Sequence, residues 1–115
     1  GYQSLMKDLK QSTKQRFGGM DFDYPQSEIE TEIVAHEGGV EPGVAEKLVQ
    51  VAQRSRNLKG HGLDEGMSTR LLVYAAQLVS KGISPQAACK MALVTPLTDD
   101  PDMRDTLDAA VNTYF

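Results

Sequence analysis

The sequence predicts a mostly α-helical protein, in which a compact helical bundle follows a short helix and a strand. From Ser27 onward, apolar residues recur at helical spacing. Residues that favour helix starts precede these runs, and glycines or prolines end them. With 115 residues, the chain has the length of one domain with one modest core.

The residues before Ser27 show a different pattern, with a short helix and a strand. A short helix is predicted to end near Phe17, where two glycines follow. Residues 20–24 alternate apolar and acidic side chains, which is typical of a strand with one buried face, and Pro25 ends the alternation. A single strand leaves its backbone groups unpaired, so it must join a sheet outside this chain. We therefore expect the chain to be a piece of a longer protein.

The first two helices of the bundle have clear start and stop signals. Ser27 and Glu30 form a capping box, which predicts that the glutamate side chain reaches back to the start of the helix. The glycine pair at residues 38–39 ends this helix. A second helix is predicted from Pro42 to about Leu58.

Three further helices follow. Ser68 is predicted to cap a helix that is apolar nearly all round and therefore central. Gly82 ends that helix, and Ser84 with the proline after it starts the fourth. Asp99, Asp100 and Pro101 start the fifth. The predicted core consists of apolar residues on the inward faces: Leu48, Val51, Leu71, Leu72, Ala75, Leu78, Met91 and Leu107.

Composition argues against several classes of function. The net charge is −4 and no segment concentrates lysine and arginine, which disfavours nucleic-acid binding. No apolar run approaches the roughly 18 residues of a membrane span. The single cysteine, Cys89, cannot form an internal disulfide, which fits a reducing cytoplasm, and we expect it to be buried.

No metal site is predicted. His36 and His61 lie far from each other and from Cys89, without zinc-ligand spacing, and both histidines are expected to be solvated. Four aspartates lie between residues 99 and 105, but carboxylates in the first turn of a helix are already favoured by the helix dipole.

Arg70 is the candidate binding residue. It takes the second position of the helix capped by Ser68, where free N–H groups and a guanidinium together favour phosphate. A salt bridge to Asp64 or Glu65 is an equally good interpretation of the residues alone. The sequence has no G-x-x-x-x-G-K-[ST] phosphate loop, so nothing in it can bind nucleotide phosphates unaided.

Arg16 is the candidate catalytic residue. It precedes Phe17, an apolar side chain that could hold the arginine rigid. From the residues alone, an ordinary surface arginine is the better interpretation.

Several stretches resemble one family. Gly-Met-Ser-Thr-Arg-Leu-Leu at residues 66–72 and Leu-Val-Thr-Pro-Leu-Thr-Asp-Asp-Pro at residues 93–101 resemble the C-terminal domain of the CbbQ/NirQ/NorQ family, a branch of the MoxR-type AAA+ ATPases. Residues 1–4 resemble the segment after the sensor-1 Asn-Pro, residues 14–17 the arginine-finger segment, and residues 22–25 the last core strand and hinge. The resemblance divides the chain into the end of an AAA+ core, residues 1–25, and a helical lid, residues 26–115.

The resemblance implies an ATPase in the intact protein, acting as a cytoplasmic ring, hexameric by analogy. The ring would use ATP and Mg²⁺ to remodel a client such as Rubisco or nitric oxide reductase, beside a partner with a von Willebrand factor A-like domain. Arg70 would be sensor 2 and Arg16 the arginine finger, whereas this chain alone would be inactive and bind no cofactor. The alternative is a stand-alone helical interaction module. The missing phosphate loop favours that alternative, and the unpaired strand argues against it.

Overall fold

The structure, a computed structural model, describes residues 24–115. They form a bundle of five α-helices, as predicted, and none of these helices is long and apolar enough to cross a membrane. The predicted short helix and, apart from Tyr24, the predicted strand lie outside the described residues. The helices are α1 (Ser27–Gly38), α2 (Pro42–Asn57), α3 (Thr69–Ser80), α4 (Pro85–Cys89), which continues into a π-helical turn (Lys90–Val94), and α5 (Pro101–Tyr114).

Side chains cap three of the helices where the sequence predicts it. Ser68, Ser84 and Asp100 each accept a hydrogen bond from the backbone N–H three residues further on, at 3.2, 3.3 and 3.0 Å. Each bond satisfies one of the N–H groups that a helix start leaves without a partner. The starts of α3, α4 and α5 are therefore confirmed.

The start of α1 differs from the prediction. Gln26 is the N-cap, it makes no side-chain capping bond, and Ser27 is already the first helical residue. The predicted capping box is therefore wrong. The carboxylate of Glu30 is completely buried and bonded to α2 and α3, so it is not available to reach back to the helix start.

Two glycines at the end of α1 have different roles, one ending the helix and the other allowing α3 to pack closely. Gly39 takes the left-handed conformation, with φ of 71°, and its N–H donates to the Ala35 carbonyl at 3.0 Å. Gly38, the last residue of α1, is buried against Ala76 of α3, and a Cβ added at Gly38 would overlap that of Ala76. Because Gly38 has no side chain, the two helices can approach this closely.

The core is mostly the predicted one, with α3 at its centre in contact with α1, α2, α4 and the π-helical turn. Leu48, Val51, Leu72, Ala75 and Leu107 are buried, and two further predicted core residues are half-buried at the edge of the core: Leu71 and Leu78.

Met91 is a wrong prediction, since its side chain is 52% exposed. In an uninterrupted α-helix, Met91 would share a face with Ala88 and Ala92. The π-helical turn, closed by the Thr95 N–H on the Lys90 carbonyl at 3.0 Å, places an extra residue in one turn. The inward positions shift as a result, so that three consecutive residues are buried and Met91 faces outward: Ala92, Leu93 and Val94.

Replacing Gly38 with alanine is expected to lower the free energy of unfolding by about 1–3 kcal/mol, because the new methyl group collides with Ala76. Ordinarily the same change inside a helix stabilises by about 1 kcal/mol, so the sign is reversed by packing. Denaturant unfolding measures the difference. Gly43→Ala is the control, since its added Cβ has no neighbour within 4 Å among the described residues beyond the local backbone of its own helix. A Gly38→Ala variant as stable as Gly43→Ala would contradict the close approach of α1 and α3.

Candidate functional site

The N-terminus of α3 presents Arg70 to solvent. Ser68 caps the helix, and the N–H groups of the first helical residues have no acceptor within the helix. Arg70 is the second helical residue, as predicted, and its side chain is exposed. Among residues 24–115, no ion pair involves Arg70, so neither Asp64 nor Glu65 forms the salt bridge that the sequence left open. An uncommitted guanidinium at a helix N-terminus is suited to bind an anion.

A buried carboxylate holds the residue next to Arg70. The Thr69 hydroxyl of α3 donates to Glu30 Oε2 of α1 at 2.8 Å. Glu30 also accepts two parallel bonds from Arg56 of α2, from Nη1 to Oε1 at 2.7 Å and from Nη2 to Oε2 at 2.6 Å. Glu30 is fully buried, and only 9% of the Arg56 side chain is exposed. Paired, bidentate geometry is what allows both charges to lie out of water.

The third guanidinium nitrogen of Arg56 and one face of its guanidinium plane contact other parts of the chain. Its Nε donates to the Met67 carbonyl at 3.0 Å. The ring of Tyr24 lies over the guanidinium, with 3.8 Å from Cζ to the ring centroid, which is a favourable cation–π distance. Tyr24 precedes α1, so Arg56 contacts both the entry of the chain into the bundle and the loop before α3. We call Glu30, Arg56 and Thr69 the buried triad.

The loop before α3 is anchored at its end, where Met67 is bonded to α2. The Met67 N–H donates to the Ser55 hydroxyl at 3.0 Å, and that hydroxyl donates to the Ala52 carbonyl at 2.6 Å. Both backbone polar groups of Met67 are thus bonded to side chains of α2. A Cβ at Gly66 would lie 2.8 Å from Arg56 Cα, so the loop can pass this close only with glycine there.

The other candidate groups do not form a second site. His36 and His61 are exposed, as expected. Cys89 is buried, as expected, and burial raises the pKa of its thiol to about 12, so the thiol stays protonated and unreactive near neutral pH. No cluster of three or more metal-ligating side chains occurs in the part of the chain that the structure describes. Asp100 serves as the α5 cap. Arg16 lies outside the described residues.

Sequence reasoning missed the buried triad, although it had a signal. Glu30 lies three and four positions before Ile33 and Val34, and therefore on the apolar face of α1. Arg56 lies four positions after Ala52, on the apolar face of α2. Two opposite charges on apolar faces of neighbouring helices indicate a buried pair, since an unpaired buried charge is strongly unfavourable.

Comparisons with known proteins match this chain to one family. The family described as CbbQ/NirQ/NorQ C-terminal matches residues 30–114. The chain is 69% identical to Protein CbbQ of Hydrogenophilus thermoluteolus over 115 residues, which is all of this chain and 43% of that protein. It is 48% identical over 101 residues to the denitrification regulatory protein NirQ of Pseudomonas aeruginosa, covering 88% of the chain and 39% of NirQ. The chain is 47% identical over 104 residues to Protein NorQ of Paracoccus denitrificans, covering 90% of the chain and 38% of NorQ.

Fold and site together define a helical-bundle domain that presents one arginine at a capped helix start, above a buried ion pair. The family match spans nearly all of the bundle, from Glu30 in the first turn of α1 to Tyr114 at the end of α5, and it includes all three residues of the buried triad. The chain belongs to the CbbQ/NirQ/NorQ family. It spans about two fifths of the length of the curated relatives that it matches.

Glu30→Gln is expected to lower the free energy of unfolding by about 3–5 kcal/mol, because it leaves the buried charge of Arg56 without a counter-charge. Glu32→Gln, on the same helix but exposed, is the control and should change stability by less than about 0.5 kcal/mol. Denaturant unfolding of both variants decides the point. Equal stabilities would mean that the pair contributes nothing to holding α1, α2 and α3 together.

Proposed function

We propose that this chain forms the helical lid, and the end of the core before it, of an AAA+ ATPase that uses ATP hydrolysis to remodel a client enzyme. Membership of the CbbQ/NirQ/NorQ family supports the class. The observation that carries the proposal is Arg70: exposed, without an ion-pair partner among residues 24–115, and at the second position of a capped helix. Its role would be that of sensor 2.

The chemistry of this arginine suits a γ-phosphate. A guanidinium presents several N–H donors in a plane and forms paired bonds with phosphate oxygens. Bonds from Arg70 to the γ-phosphate exist with ATP and are absent with ADP, so the lid distinguishes the two nucleotides. Because Arg70 belongs to the bundle, the contact draws the whole bundle toward the nucleotide when ATP binds.

Arg16 would act on a different nucleotide. We place it as the arginine finger, which enters the ATP site of a neighbouring subunit and stabilises the charge that develops on the transferred phosphoryl group. Two arginines on separate segments would then link the nucleotide state both to lid position and to the contact between subunits. This role rests on the resemblance of residues 14–17 to the finger segment.

The other functional elements are proposed for the intact protein. ATP and Mg²⁺ would be bound by the phosphate loop and the Walker B acidic residues of the AAA+ core, and this sequence contains neither element. Subunits would form a ring, hexameric by analogy, in the cytoplasm, with a von Willebrand factor A-like protein as partner. The client would be an enzyme of the Rubisco or nitric oxide reductase type. The NirQ relative from Pseudomonas aeruginosa is named a denitrification regulatory protein, which agrees with the second of these clients.

In the intact protein, Arg70→Ala is expected to weaken ATP binding by on the order of tenfold to a hundredfold, the loss of one or two charge-assisted hydrogen bonds. ADP binding should be nearly unchanged. Titration of each nucleotide with the purified ring measures both affinities. Arg54→Ala is the matched control, since Arg54 is an exposed arginine in the last turn of α2. If Arg70→Ala binds ATP as the parent does, the domain is better described as a helical interaction module.

Arg16→Ala is expected to lower the ATPase rate by on the order of 10³-fold with little change in nucleotide affinity, because a finger contributes mainly in the transition state. Mixed rings test the geometry: an Arg16→Ala subunit should still hydrolyse ATP when its neighbour supplies an intact finger. Lys14→Ala, a change of another basic residue in the same segment, is the control. Homogeneous Arg16→Ala rings that hydrolyse ATP at the parent rate would show that Arg16 is a surface arginine.

A further inference from the structure

Among residues 24–115, the side chain of Arg70 has no hydrogen-bond or ion-pair partner that would fix its direction. It is exposed. A long, free side chain loses conformational entropy when it is ordered on a ligand. What aims the guanidinium before a ligand arrives is therefore the position of its own backbone, which the first turn of α3 determines.

That turn is held far more firmly than a helix start requires. The Ser68 cap is sufficient to start α3. In addition, the Thr69 hydroxyl donates to Glu30. The Met67 carbonyl accepts from Arg56, and the Met67 N–H donates to the Ser55 hydroxyl. These three bonds come from α1 and α2, and they flank Ser68 on both sides.

The buried triad is poorly explained by stability alone. A buried ion pair can often be replaced by apolar side chains without loss of stability, so its presence is weak evidence for a stabilising role. What its geometry does provide is a fixed distance and direction between Glu30 and the Thr69 hydroxyl. The two bonds from Arg56 and the ring of Tyr24 leave the Glu30–Arg56 pair little freedom to move.

We infer that Thr69, bonded to the Glu30–Arg56 pair, is a positioning residue that aims Arg70 at a phosphate group. Thr69 and Arg70 are adjacent, with one side chain buried and the other exposed. A shift of Thr69 therefore moves the attachment point of the Arg70 side chain. This inference rests on the proposed sensor role of Arg70, and it adds a residue that never touches the nucleotide.

The test uses the intact protein and two substitutions of Thr69. Thr69→Val keeps the shape of the side chain but removes the hydroxyl, whereas Thr69→Ser keeps the hydroxyl. Thr69→Val is expected to weaken ATP binding by on the order of threefold to tenfold and to leave ADP binding unchanged, a range typical of coupled neighbours. Thr69→Ser should bind ATP with an affinity within about twofold of the parent. If Thr69→Val does not fold, Thr69→Ala replaces it.

A double-mutant cycle separates positioning from general destabilisation. In the Arg70→Ala background, Thr69→Val should have almost no further effect on ATP binding, because the side chain that it aims is gone. Val111→Ala, a buried change on α5, serves as a control for loss of stability and should leave ATP binding unchanged.

The outcomes distinguish the two proposals. If Arg70→Ala leaves ATP binding unchanged, the sensor role fails and the inference about Thr69 fails with it. If Arg70→Ala weakens ATP binding but Thr69→Val does not, the sensor role stands and the positioning role is overturned. The positioning role is also overturned if Thr69→Val weakens ATP binding equally with and without Arg70.

Discussion

The ion pair between Glu30 and Arg56 is the interaction on which the polar end of the bundle depends. A carboxylate without solvent contact needs a counter-charge and donors for both oxygens. Here these donors come from α2 and α3, whereas the carboxylate belongs to α1. The three helices therefore cannot shift independently without exposing or unpairing a buried charge. That requirement also explains why the loop passes so close to Arg56 and why it does so at Gly66.

The bundle thus combines two kinds of packing. Its interior is mostly apolar and depends on close contact, as where Gly38 of α1 meets Ala76 of α3. Apolar contact is not directional, and it tolerates small rotations of one helix on another. Hydrogen bonds to a fixed carboxylate are directional. The directional contacts are concentrated at the N-terminus of α3, where Arg70 emerges.

This division suits a domain that has to move as one body and still present a single side chain accurately. The family match covers nearly all of the bundle, and the relatives described above share about half or more of the residues that align with them. In the mechanism that we propose, the intact ring acts on the client enzyme, and the bundle contributes a rigid domain that carries Arg70. The rigidity of this domain then matters more than the number of its contacts with nucleotide.

Local sequence determined the helices and the place of Arg70. Caps such as Ser68, Ser84 and Asp100 act within four residues of themselves, and the spacing of apolar residues reports the helical period directly. For this reason the number of helices in the bundle, four of their five starts and most of the core could be predicted without coordinates. The roles of Arg16 and Arg70 came from resemblance and remain predictions.

Tertiary structure alone decided which partners Glu30 has and that Met91 is exposed. Glu30 fits a local capping box, yet its partners Arg56 and Thr69 lie 26 and 39 residues further along the chain. A buried charge gains more from such partners than from a solvated helix start, so the distant contacts prevail over the local motif. The π-helical turn likewise shifted the inward face of its segment and left Met91 outside. Helical periodicity places Glu30 on the apolar face of α1 but does not identify its partners, and it does not reveal the π-helical turn that moves Met91 outward.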